Sequence, residues 1–229
     1  MTAITALTAQ NTLGVQGIFE VSPEFVAQQI DSVMSDIGAD AWKTGMLSNA
    51  EIISVVVNKT KEYKMEKLVV DPVMVAKGGD SLLQKQAQII LINKLLPLSF
   101  IITPNHHEAE VLTGLKINNL DDAEKAAMKI HEMGAENIII KGGHIPTISD
   151  AIDVLYDGNQ IIHISSPRID TKNTHGTGCT YASSIAAEVA KGNDFVNAVK
   201  IAKKYITKAI RNAVDLHIGK GHGPLNHFY

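Results

Sequence analysis

The stretches Lys67-Leu-Val-Val-Asp71, Phe100-Ile-Ile-Thr103 and Asn137-Ile-Ile-Ile-Lys141 show no polar alternation between their ends. A strand with one wet face alternates apolar and polar residues, because successive side chains point to opposite sides. Runs that are apolar throughout are buried on both faces, the condition of a parallel sheet covered by helices on either side. A further short strand is expected over 39–43.

Helical patterns separate these runs. Ser22-Pro23-Glu24 combines a capping hydroxyl, a proline suited to the first turn and an acid at the positive end of the dipole. The spacing of Phe25, Val26, Ile30, Val33 and Ile37 carries that helix to Gly38. Further helices are expected over 48–63 with Ser48 as the cap, over 81–95, 105–112, 120–133, 176–190 and 194–213. The stretches 152–156 and 160–165, joined through Asp157-Gly158-Asn159, read as a small β-hairpin. Strand–helix alternation of this kind predicts an α/β fold whose mostly parallel central sheet has helices on both faces.

Ligands of such sheets bind beyond the carboxyl ends of the strands. Lys43-Thr44-Gly45, Asp71-Pro72, Thr103-Pro104-Asn105 and Lys141-Gly142-Gly143 stand at those ends and are expected to share one crevice.

Composition narrows the setting. The 229 residues suffice for one large core, and a single domain over 1–229 is expected. A formal net charge of -3 shows no basic excess, which argues against nucleic acid as a partner. The lone cysteine makes no internal disulfide and fits a reducing cytoplasm. The longest apolar stretch, near 89–102, is broken by Asn93, Lys94 and Pro97, so no membrane span is expected.

Chemistry concentrates at Gly176-Thr177-Gly178-Cys179, where a helix of small residues begins. Free N–H groups and the positive end of the dipole make such a start an anion site, and glycine lets the backbone come close. The plain alternative is an ordinary glycine-containing turn. No third glycine follows at dinucleotide spacing, since Tyr181 stands there, and no Gly-Lys-Ser/Thr of a Walker A loop is present. Cys179 is either a small packed hydrophobe or, with its pKa lowered by the helix N-terminus, a thiolate able to take a proton from an alcohol.

Asn105 and Glu108 lie three apart on one helical face. They suit Mg²⁺ beside phosphates, and equally a capping box. Asp71 either orients a metal or caps its turn; Lys141 either neutralises phosphate oxygens or snorkels from the sheet edge. The histidines at 106, 107, 217, 222 and 227 have no metal-binding spacing.

Five motifs taken together resemble one family. Asp71-Pro-Val-Met-Val-Ala76, Thr103-Pro-Asn-His-His-Glu108, Lys141-Gly-Gly-His144, the segment from Thr171 to Thr180, and Gly221-His-Gly-Pro-Leu-Asn-His-Phe228 are similar, in order and spacing, to those of the hydroxymethylpyrimidine/phosphomethylpyrimidine kinases of thiamine synthesis, which have a ribokinase-like fold. The resemblance implies ATP and Mg²⁺ as cofactors and a homodimer. It implies that Gly176, Thr177 and Gly178 form the anion hole and that Cys179 is the base. Lys141 would touch the nucleotide phosphates, and Asp71, Asn105 and Glu108 would surround Mg²⁺. Gln10 would hydrogen-bond the aminopyrimidine while Met46 and Val73 pack on its ring; an amide can both donate and accept there.

Family members begin with a strand and a Gly-Ser-Asp-type loop upstream of the segment that matches residues 1–20 here. An uncovered neighbouring strand is expected to cost several kcal/mol at ~25 cal/mol per Å² of apolar surface. Two other functions stay open: a pyridoxal kinase of the same fold, and a protein that binds pyrimidine or nucleotide without turnover.

Overall fold

The computed structural model describes residues 1–74, 84–143 and 150–228. Ala76 and His144, from the quoted motifs, and the helix start expected at 81 lie outside these described residues.

The chain opens with β1 (Ala6–Asn11) and β2 (Gly14–Glu20), an antiparallel hairpin forming its own two-stranded sheet. Nothing in the sequence pattern announced it, because most of its residues are exposed and leave no inside-outside alternation to read. Helix α1 (Pro23–Met34) follows, capped by Ser22, whose hydroxyl accepts the Phe25 N–H at 3.3 Å. β3 (Trp42–Thr44) begins later than expected, after Gly38 turns the chain at φ 73°.

The cap of α2 (Ala50–Glu62) is Asn49, not Ser48. Ser48 adopts a left-handed φ of 62° and gives its hydroxyl to Glu20, whereas a cap needs the extended conformation that Asn49 has. Then come β4 (Leu68–Val70), α3 (Lys85–Ile90, running on into a wider turn at Leu91–Leu95), β5 (Ile101–Ile102), α4 (His106–Thr113), α5 (Leu120–Glu132) and β6 (Asn137–Ile140). The hairpin β7 (Ala151–Tyr156) and β8 (Ile161–Ser166) leads to α6 (Thr177–Ala190) and α7 (Phe195–Arg211).

Among the described residues the main sheet has six strands in the order β3-β4-β5-β6-β7-β8. β3 to β6 pair in parallel, with Thr44 opposite Val70, Val70 opposite Ile102 and Ile102 opposite Ile138. β7 and β8 pair antiparallel, so the expected hairpin is the outer end of the main sheet rather than a separate feature.

Strand order following chain order explains how the layers form. Successive right-handed crossovers that step in one direction place all their helices on one face. On that face α1, α2, α3 and α5 pack on Leu68, Val70, Ile102, Ile138 and Ile140. The opposite face, Val69, Ile101, Ile139 and Leu155, is covered by α6 and α7. Both sides of each inner strand are therefore dry, which is why those runs are apolar throughout. β3 ends the sheet. Beside it, between α1 and α6, runs a cavity of about 770 Å³ lined among others by Ile4, Ile30, Trp42 and Ala186.

Candidate active site

The carboxyl ends of β3, β4, β5 and β6 meet at one carboxylate. Asp71, just past β4, is 3% exposed. Lys141, just past β6, donates from Nζ to Asp71 Oδ1 at 2.9 Å, and the Thr103 hydroxyl approaches the same oxygen at 3.3 Å. Lys43, on β3, brings a second ammonium to within 3.8 Å of Oδ2. Burial disfavours the Lys141 ammonium, yet Asp71 and Glu108 outweigh it and raise its pKa.

Asn105 caps α4, and the capping box is fully formed. Asn105 Oδ1 accepts the Glu108 N–H at 2.9 Å, and Glu108 Oε2 accepts the Asn105 N–H at 2.8 Å. Burial pushes the Glu108 carboxyl up, against the pull of Lys141 and of backbone donors at Asn105 and Met74. The cap and the crevice therefore share residues: the capping carboxylate lies in the electrostatic field of Lys141 and Asp71.

Helix α6 starts at this crevice. Gly176 takes a left-handed φ of 84°, which glycine adopts without strain. Its carbonyl accepts from Thr180 N–H at 2.9 Å, closing the first turn, and Thr177 bonds back to the Thr174 carbonyl through its hydroxyl at 2.7 Å. A Cβ on Gly178 would lie 3.3 Å from Lys141 Nζ, so the first-turn amides and the ammonium border the same space. An anion there meets amide donors from one side and a cation from the other.

Cys179 is exposed at the rim of this space. The expectation that the helix start lowers its pKa is reversed. Desolvation by the surrounding protein pushes the thiol up, Asp71 and Glu108 add to that, and Lys43 and Lys141 recover only part. The sequence sets Lys43 at a strand end without a role, because a lone lysine in a short strand carries no sign of its partner.

The residues expected at the pyrimidine ring are spread wider. Met46 follows β3 and Val73 follows β4, neighbouring strands. Gln10 sits exposed on β1, after a bulge, with the Thr8 hydroxyl 3.4 Å from its Oε1. The hairpin is tied to the site at both ends. Thr5 donates to the Met46 carbonyl at 2.7 Å. At the tip, Thr12 accepts from Gly221 N–H at 3.2 Å and His222 N–H at 2.9 Å, and Gly223 accepts the His175 N–H at 2.9 Å. The segment 221–223 thus straps the hairpin turn to the loop that leads into α6.

The sequence around this crevice matches a known family almost from end to end. The profile described as phosphomethylpyrimidine kinase covers residues 1–226. The chain belongs to that family. It is 50% identical to the hydroxymethylpyrimidine/phosphomethylpyrimidine kinase of Bacillus subtilis, over 100% of this chain and 83% of that one. A phosphomethylpyrimidine kinase of Clostridium difficile superposes with a TM-score of 0.82 at 40% identity, covering 92% and 86% of the two chains. The ADP complex of Bacillus subtilis pyridoxal kinase gives 0.91 at 37% identity, covering 99% and 85%. As a member of the phosphomethylpyrimidine kinase family the chain is a phosphotransferase with a ribokinase-like fold. None of its helices, among the described residues, is long and apolar enough to cross a membrane.

Proposed function

We propose that this phosphotransferase moves the γ-phosphoryl group of ATP to the hydroxymethyl oxygen of 4-amino-5-hydroxymethyl-2-methylpyrimidine, and then a second one to the resulting monophosphate. The observation that carries this reading is the 3.3 Å approach of Lys141 Nζ to the Cβ position of Gly178, which makes one anion site of a strand end and a helix start. Cys179 accepts the alcohol proton as oxygen attacks phosphorus and the bond to ADP breaks. The amides of Gly176 to Cys179 and the Lys141 ammonium take up the charge on the phosphoryl oxygens.

Among the described residues no cluster of three or more His, Cys, Asp or Glu is built to hold a metal alone. Asp71 and Glu108 are buried carboxylates at the crevice, and Mg²⁺ takes one or two carboxylates and completes its shell with water and phosphate oxygens. Asp71, Glu108 and Asn105 would hold it, and it would neutralise the nucleotide's charge. Gln10, on the strapped hairpin, reads the aminopyrimidine; Met46 and Val73 pack on its ring.

The chain works as one domain in the cytoplasm and as a homodimer. Leu7 and Phe19, paired across the hairpin and 53% and 69% exposed, give a second copy an apolar face to cover. Pyridoxal is a candidate side substrate, favoured by the likeness to pyridoxal kinase.

A coupled ADP-release assay with the pyrimidine alcohol, its monophosphate and pyridoxal tests the reading. Turnover of the first two at higher kcat/KM than pyridoxal is expected. Binding without ADP release would overturn it.

A further inference from the structure

Next to the phosphate-facing crevice lies a buried ionic cluster that the proposed reaction does not use. Asp153, on β7, is 2% exposed and receives donors from three elements. The Gly142 N–H donates to Oδ1 at 3.0 Å. The Tyr181 hydroxyl, on α6, and Lys203 Nζ, on α7, each donate to Oδ2 at 2.8 Å. Lys203 Nζ also stands 5.9 Å from the centroid of the Tyr181 ring.

Stability is a poor reason for such a cluster, since a buried ion pair seldom outperforms apolar packing of the same volume. Its connections point elsewhere. Gly142 directly follows Lys141, and it fits closely against β7: a Cβ there would lie 1.5 Å from the Ile152 carbonyl oxygen. Tyr181 stands two residues beyond Cys179, on the helix whose first turn supplies the amides. One carboxylate thus grips the backbone that carries the cation and the helix that carries the amides.

We propose that Asp153 is a positioning residue: it fixes the spacing between the Lys141 ammonium and the amino-terminal amides of α6. The inference rests on the reading that these two groups hold the transferring phosphoryl group. Charge in such a site develops over a fixed geometry, and a misplacement of about 1 Å can cost roughly 10²-fold in rate. Tyr181→Phe deletes only the link to α6, leaving Asp153 bonded to Gly142 and Lys203.

The experiment measures kcat, KM and melting temperature for Tyr181→Phe, for Asp153→Asn with Lys203→Met, for Lys141→Met, and for Ile185→Val as a core change on the same helix. Expected are a fall of about tenfold in kcat for both substrates in the first two variants, with pyrimidine KM unchanged and no comparable fall in Ile185→Val. The double variant keeps a neutral cluster, so it reports positioning even if single charge removal prevents folding. Wild-type kcat in Tyr181→Phe and in the double variant, beside a crippled Lys141→Met, would overturn the positioning role alone. A wild-type rate for Lys141→Met would overturn the site reading and the inference with it. An equal kcat loss in Ile185→Val would reduce Asp153 to packing.

Discussion

Cys179 holds its proton more tightly than an isolated thiol, and this shapes its chemistry. A base must be deprotonated to act, so phosphorylation of the alcohol should rise with pH through and above the ordinary thiol range near ~8.5. The monophosphate attacks with an oxygen already anionic near neutrality, so its rate should lack that limb. Single-turnover pH profiles with the two substrates check this; matching limbs would mean that the thiol is not the base. Cys179→Ala should remove the limb and slow the alcohol step by roughly 10²–10⁴ while sparing the second step. Lys43→Met takes away an ammonium that favours the thiolate, so its alkaline limb should move to higher pH. At the pyrimidine end, Gln10→Met should raise KM by the equivalent of about 1–3 kcal/mol, the cost of leaving a buried ligand group unpaired. An unchanged KM would place Gln10 outside the site.

Among the elements, the strap at 221–223 carries the most specific expectation. A Cβ on Gly221 would fall 1.9 Å from the Thr12 carbonyl oxygen, and one on Gly223 would fall 2.0 Å from Asn173 Oδ1. Gly221→Ala should therefore push the hairpin away from the α6 loop, raising pyrimidine KM several-fold with little change in ATP KM; steady-state kinetics in both substrates decide it. Gly178→Val, by contrast, should disable both phosphorylation steps, because it fills the space facing Lys141. The sequence disclosed these elements unevenly. Inner strands were legible because burial on both faces strips them of polar residues, and the start of α6 because glycines and small residues mark it. The fit of Gly221 was not, since its partner lies about two hundred positions away in the chain. Asn105 and Glu108 carried a capping signal and a metal signal at once, and the structure forms the cap without removing them from the crevice. The reversal at Cys179 comes chiefly from burial that only the fold creates, and the missed role of Lys43 from a carboxylate that only the folded sheet brings beside it.

For the molecule as a whole, β3 ends the main sheet and a cavity lies beside it. An unpaired strand exposes backbone donors and acceptors and invites edge-to-edge association. Extending residues 1–229 upstream with a strand, loop and helix of family type should raise the melting temperature and the turnover together; no change in either would show that the edge is self-sufficient. The layering also gives the enzyme a direction in time. The face bearing Val69, Ile101, Ile139 and Leu155 packs under α6, α7 and Leu225, so a nascent chain ending before residue 176 lacks that cover. A chain of that length already contains Asp71 and Lys141, while the α6 amides of the proposed anion site have not been made. The proposed anion site and the cover of the second apolar face therefore arrive together, with the last two helices. A chain stalled before them is both inert and sticky, the kind of intermediate that chaperones and proteases are left to resolve.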